Sequence, residues 1–114
     1  MVRGLAMYAR YGVTRVVGST LSNPYDVIIA QVKRMRTVME DREYGAILLG
    51  AHMEGPWLAP RCRGGHDLRY LSTPERPAVE RILGEVGDVI KTVTYAPELP
   101  GRVWMTEQLA LRRI

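Results

Sequence analysis

Ile47-Leu48-Leu49-Gly50-Ala51 is a run of apolar and small residues with no polar positions between them, and it leads directly into His52-Met53-Glu54-Gly55-Pro56. A strand with one wet face alternates apolar and polar residues. A strand that is apolar throughout is covered on both faces, as in the parallel sheets of α/β proteins. His52 and Glu54 lie two apart, so on a strand they share one side while Met53 points to the other. Gly55-Pro56 ends the strand, because proline cannot donate to a ladder and glycine permits a sharp turn. A carboxylate and an imidazole therefore arrive at the carboxyl end of a buried strand, where parallel α/β enzymes keep their chemistry.

Helical and strand signals alternate along the rest of the chain. Leu5 to Tyr11 suits the end of a helix, with Gly12 as its stop. The β-branched residues Val13, Thr14, Val16 and Val17 predict a strand over Val13–Gly18. In the segment that follows, Asn23 is placed to cap a helix and Pro24 to occupy its first position. Ile28, Val32, Met35 and Met39 recur at helical spacing and mark the apolar face of a helix reaching Asp41. The second strand is expected over Ala46–Met53, and a glycine- and proline-containing loop runs from Glu54 to Ser72. Thr73-Pro74 opens a further helix with Val79, Ile82, Leu83 and Val86 inward and Gly87 beyond its end. A third strand over Val89–Tyr95 and a helix over Val103–Arg113 complete the pattern. Such alternation favours right-handed βαβ crossovers and a parallel sheet.

Composition narrows the partners. With 46% apolar residues the chain is of globular type, and no apolar run approaches the roughly 20 residues that span a bilayer. Met1-Val2-Arg3-Gly4-Leu5-Ala6 lacks the apolar core of a secretory leader, so a cytoplasmic location and no membrane partner are expected. The single Cys62 excludes an internal disulfide framework, and an exposed loop thiol between Arg61 and Arg63 needs no role. Sixteen Lys+Arg against twelve Asp+Glu give a net charge of +4. These charges are scattered as on solvated helix faces, and no nucleic-acid-binding motif accompanies them, so no nucleic acid is expected as a partner.

Taken alone, a His-x-Glu at a strand end serves an ion pair or a helix cap more often than a metal. His66 follows Gly64-Gly65, which lets backbone approach a ligand, although a loop histidine can equally cap a turn. Trp57 and Leu58 are expected to pack rather than to line a pocket. Ser19, Thr20 and Glu98 fall near strand ends without a motif that assigns them chemistry.

Together, His52-Met53-Glu54-Gly55-Pro56, His66, Tyr11-Gly12-Val13-Thr14 and Val93-Thr94-Tyr95-Ala96-Pro97-Glu98 resemble the N-acetylglucosamine-6-phosphate deacetylases of the metal-dependent amidohydrolase superfamily. The resemblance implies a (β/α)8 barrel, which needs about 250 residues, so residues 1–114 would supply about three of eight strands as a fragment of the barrel domain. It implies Glu54 as a ligand of a divalent metal, Zn2+ being the commonest, with His52 supporting the site by packing or hydrogen bonding. It further implies that His66 contacts the N-acetyl carbonyl of an amino-sugar phosphate and that Gly65 lines the sugar site. The family's other metal ligands, its acid/base aspartate and its phosphate-binding residues are not matched here. The expected activity is thus that of a parent protein, a homo-oligomer, with the 114-residue chain inactive alone. The alternatives are a deacetylase of another N-acyl amino sugar and a non-catalytic α/β module.

Overall fold

Three parallel strands, lying side by side in the order in which the chain makes them, form the only sheet among the described residues. The computed structural model describes residues 2–40 and 47–114. The elements are α1 (Val2–Arg10), β1 (Arg15–Thr20), α2 (Tyr25–Glu40), β2 (Ile47–Glu54), α3 (Arg76–Val86), β3 (Ile90–Thr94) and α4 (Arg102–Leu111), with two short 3-10 turns between β2 and α3. Sequential parallel order winds the chain one way across the sheet, as in the wall of a (β/α)8 barrel.

The boundaries differ from expectation in instructive places. β1 begins at Arg15 and ends at Thr20, two residues later than Val13–Gly18, so Ser19 and Thr20 belong to the strand and not to the loop after it. Val27 and Ile28 donate to the Pro24 carbonyl, which puts Pro24 ahead of α2, while the Asn23 amide donates to the Leu21 carbonyl and does not cap the helix. α3 opens at Arg76 with Pro77 in its first turn, so the helix uses Pro77 and not Pro74. The expected helix end at Asp41 and the strand start at Ala46 lie outside the described residues.

Ile28, Ile29, Val32 and Met35 from α2 and Val79, Ile82, Leu83 and Val86 from α3 meet Leu48, Ala51 and Met53 of β2 in one core. At ~25 cal/mol per Å2 of apolar area, this burial is the main force holding the layers together. The exposed pairs Lys33–Glu85, Arg36–Asp88 and Arg81–Asp26 tie α2 to the α3 end of the layer. Solvent-exposed pairs of this kind contribute about 0–1 kcal/mol each.

An extra residue in β2 sets the orientation of everything beyond it. From Val16 to Gly18 β1 advances two residues while its partner advances three, from Leu48 to Ala51. Before this bulge Leu48 is buried between exposed Ile47 and Leu49. After it Ala51 and Met53 are buried, and His52 and Glu54 take the other face. The apolar run is therefore covered by helices on one face only. Ile47, Leu49 and Val17 remain 46%, 40% and 38% exposed, a face that a closed barrel would fill.

Gly50 makes the bulge possible. Its φ is +153°, and a Cβ there would stand 2.3 Å from the Val89 carbonyl oxygen, the acceptor of the Ala51 N–H. Gly50→Ala should cost about 1–3 kcal/mol, because backbone rather than a flexible side chain would have to move. Gly84→Ala, in α3 with open space at its Cβ, should instead stabilise by about 0.5–1 kcal/mol. Denaturation midpoints of the two variants should shift in opposite directions, and a shared sign would refute this account of the bulge.

Candidate functional site

The segment after β2 is anchored before it reaches His66. Trp57 is fully buried; its carbonyl accepts the Ala96 N–H at 2.8 Å and its indole donates to the Tyr25 hydroxyl at 3.3 Å. The Tyr25 hydroxyl also meets Ser72 Oγ at 2.7 Å, and Ser72 N–H returns to the Pro56 carbonyl at 3.0 Å. Both ends of the loop are thus closed on one aromatic wedge, which is the packing role expected of Trp57. Between them Arg63 donates from Nε to the His66 carbonyl and from Nη1 to the Pro60 carbonyl, holding the turn that presents His66. Asp67 accepts the Arg69 N–H at 2.9 Å and pairs with its guanidinium.

His66 is only 8% exposed. Its Nδ1 accepts from the Ser22 N–H at 3.1 Å and lies 2.7 Å from Ser22 Oγ, while its Nε2 stands 3.7 Å from Glu54 Oε1. Glu54 ends β2, and the next N–H, of Gly55, continues the ladder to the Thr94 carbonyl at 3.0 Å. Gly55 has φ +73°, and a Cβ on it would fall 2.3 Å from Ser22 Oγ, so the glycine of Glu-Gly-Pro both turns the chain and leaves room for the serine. Glu54, His66, Gly65, Leu21, Leu58 and Thr94 line an open cavity of about 400 Å3 at the carboxyl end of the sheet.

His52, on the same face as Glu54, bridges all three strands. Its Nδ1 meets Ser19 Oγ of β1 at 2.9 Å and its Nε2 meets Thr94 Oγ1 of β3 at 2.8 Å. Both ring nitrogens are occupied, which leaves neither for a metal. Glu98 is exposed and does not line the cavity, and Cys62 is an exposed thiol at its rim. Sequence reasoning missed Ser22, because Ser-Asn-Pro ahead of a helix reads as a capping segment and nothing in it announces a contact 44 residues away.

A larger cleft of about 580 Å3 lies along β1 and α2, sharing Leu21 with the Glu54–His66 cavity and bordered by Ser19, the partner of His52, with Thr20, Gln31, Met35 and Val38 in its wall. Thr20 Oγ1 and Gln31 Oε1 are buried there without partners among the described residues. The cleft flanks the free edge of the sheet, where a neighbouring strand would pair.

Ser22, His66 and Glu54 line up as a hydroxyl, an imidazole and a carboxylate, yet they do not make a nucleophilic relay. Ser22 is 4% exposed, and its hydroxyl is turned to a nitrogen already accepting from the same residue's N–H. The arrangement suits binding and donation from Nε2 into the cavity. As for a metal, Glu54's half-exposed carboxylate at the cavity fits one ligand of a divalent ion. A catalytic zinc takes three protein ligands, and no group of three or more His, Cys, Asp or Glu able to hold an ion occurs among the described residues.

These features define a class: a three-strand stretch of parallel α/β barrel wall carrying a carboxylate and an oriented imidazole at the carboxyl end of its strands. The proteins that the chain resembles along this stretch are N-acetylglucosamine-6-phosphate deacetylases. It is 33% identical over 102 residues to the N-acetylglucosamine-6-phosphate deacetylase of Homo sapiens, covering 84% of this chain and 25% of that protein. It is 32% identical over 105 residues to that of Bos taurus, with the same coverage. An N-acetylgalactosamine-6-phosphate deacetylase of Escherichia coli O157:H7 is 27% identical over 111 residues, 96% of this chain and 29% of that one. The solved N-acetyl-D-glucosamine-6-phosphate deacetylase of Mycobacterium smegmatis matches with a TM-score of 0.87 and 27% identity, over 99% of this chain and 29% of that one. No protein-family model matches. The chain spans about a quarter of the length of the curated relatives it matches.

Paired with Arg69, the Asp67 carboxyl is held at about 2, below its ordinary 3.8. A depressed carboxylate pKa contributes stability that is present above the ordinary value and lost as pH falls through the depressed one. The Asp67 carboxyl carbon should therefore show no titration by NMR at pH 3.8, where an unpaired aspartate is half protonated. A midpoint at the ordinary value would show that the turn after His66 is not held by this pair.

Proposed function

We propose that the protein carrying this segment is an N-acetylglucosamine-6-phosphate deacetylase, hydrolysing the N-acetyl group to acetate and glucosamine 6-phosphate. The observation that carries the reading is the meeting of Glu54 and His66, 3.7 Å apart, at one cavity within the stretch that matches deacetylases. Residues 1–114 are then part of the barrel domain, and neighbouring barrel strands and helices cover the cleft along β1 and the apolar face of the sheet. A homo-oligomeric cytoplasmic enzyme is part of the same proposal. Among the described residues no helix is long and apolar enough to cross a membrane.

Amide hydrolysis builds negative charge on the carbonyl oxygen, and a positioned donor lowers the barrier by meeting that charge. His66 Nε2 supplies the donor, facing the cavity from a ring that cannot turn away. Gly65, with open space where a Cβ would be, lets the sugar lie against backbone. Glu54 holds one position of a divalent metal, Zn2+ being the commonest, which when bound activates water and polarises the acetamide. His52 keeps the face beneath Glu54 rigid through its two hydroxyl partners.

The Escherichia coli relative that by its name acts on N-acetylgalactosamine 6-phosphate supports a second reading, the same reaction on the epimeric sugar. Acetate release from the two sugar phosphates by the intact polypeptide separates them.

In that polypeptide Glu54→Gln should abolish turnover and weaken metal retention, and unchanged activity would sink the assignment. His66→Ala should lower kcat by about 10^2–10^3, the cost of one oxyanion donor. Residues 1–114 alone should release no acetate even with added Zn2+, since one ligand does not make a catalytic site.

A further inference from the structure

We infer that Ser22 is the positioning residue of this site: its N–H and its hydroxyl jointly fix Nδ1 of His66 as an acceptor and so commit the ring proton to Nε2. A neutral imidazole carries one proton, and which nitrogen holds it is set by what the other nitrogen must accept. The Ser22 N–H is a donor that cannot be reversed, and at 3.1 Å it requires a lone pair on Nδ1. The hydroxyl, 2.7 Å from the same atom, is free to donate to it as well. Nε2 is then the protonated nitrogen, and it is the one that faces Glu54 and the cavity.

Three features surround this contact. Ser22 and His66 are 4% and 8% exposed, so water does not compete for Nδ1. Gly55 leaves the space in which Ser22 Oγ sits, 2.3 Å from where a Cβ would be. Arg63 holds the His66 carbonyl from the opposite side at 3.1 Å, so the backbone that carries the ring is fixed as well. Ser22 thereby acts on the substrate through the β2–α3 loop, without itself lining the cavity. The consequence for function rests on the deacetylase reading: with the other tautomer, Nε2 would present a lone pair to the carbonyl oxygen and repel the charge that the reaction builds.

The tautomer can be read without turnover. In the intact polypeptide labelled with 15N-histidine, at a mildly alkaline pH where imidazole is neutral, two-bond proton–nitrogen correlations report each ring nitrogen. A His66→Gln difference spectrum assigns the signals. The expected result is an unprotonated Nδ1 and a protonated Nε2. Ser22→Ala, which keeps the backbone N–H and removes only the hydroxyl, should leave Nδ1 unprotonated but move its shift, and Ser22→Thr, which restores the hydroxyl, should return it. A protonated Nδ1 in the parent protein, or an Nδ1 shift that stays unmoved in Ser22→Ala, overturns the assignment. If Ser22→Ala fails to fold, the parent and Ser22→Thr spectra still decide the tautomer. The fixed tautomer in a protein that hydrolyses neither sugar phosphate would sink the deacetylase reading and leave this one standing.

Discussion

The one residue that β2 carries in excess of β1 decides which way every later side chain of the strand points. Without it, the phase set by buried Leu48 would carry His52 and Glu54 toward α2 and α3, into a core that has no partner for a carboxylate. With it, Ala51 and Met53 fill the core, and the polar pair turns to the face where the loops converge. The insertion depends in turn on Gly50, whose missing side chain lets the Val89 carbonyl come within bonding distance of the Ala51 N–H. A backbone accommodation near the middle of the strand thus determines the chemistry at its end.

Much of this was readable in the residues, for reasons that differ by element. The helical spacing of Ile28, Val32 and Met35 and of Val79, Ile82, Leu83 and Val86 states which faces are buried, because period 3.6 has few competing explanations. The strand ends were less legible: Val13 and Thr14 have strand-forming side chains, but among the described residues the first ladder pair is Arg15 with Ile47. The bulge was illegible, since a glycine in an apolar run marks a close approach only once the neighbouring strand is known. It did not spoil the placement of His52 and Glu54 on one face, because both lie beyond it.

The site divides in the same way. Glu54 and His66 were singled out from a local motif, and the fold brings them to one cavity. Ser22, Ser19 and Thr94 were not, because what they do lies entirely in pairings across 44, 33 and 42 residues of sequence. Short polar side chains near strand ends are common, and their meaning is set by the tertiary partner. His52 shows the converse, a residue conspicuous in sequence whose two nitrogens are both spent on holding strands together.

Because all three strands run in one direction, the two free edges of the sheet are not alike. A two-fold axis perpendicular to the sheet would set β1 against a second β1 pointing the opposite way, which does not continue a parallel ladder. Growth that continues the parallel ladder is head-to-tail, the β3 side of one unit meeting the β1 side of the next, each joint adding the same rotation. Repeated joints of that kind close into a ring where the rotations sum to a full turn. The common direction of three short strands thereby makes circular closure one way for this architecture to satisfy both unlike edges at once.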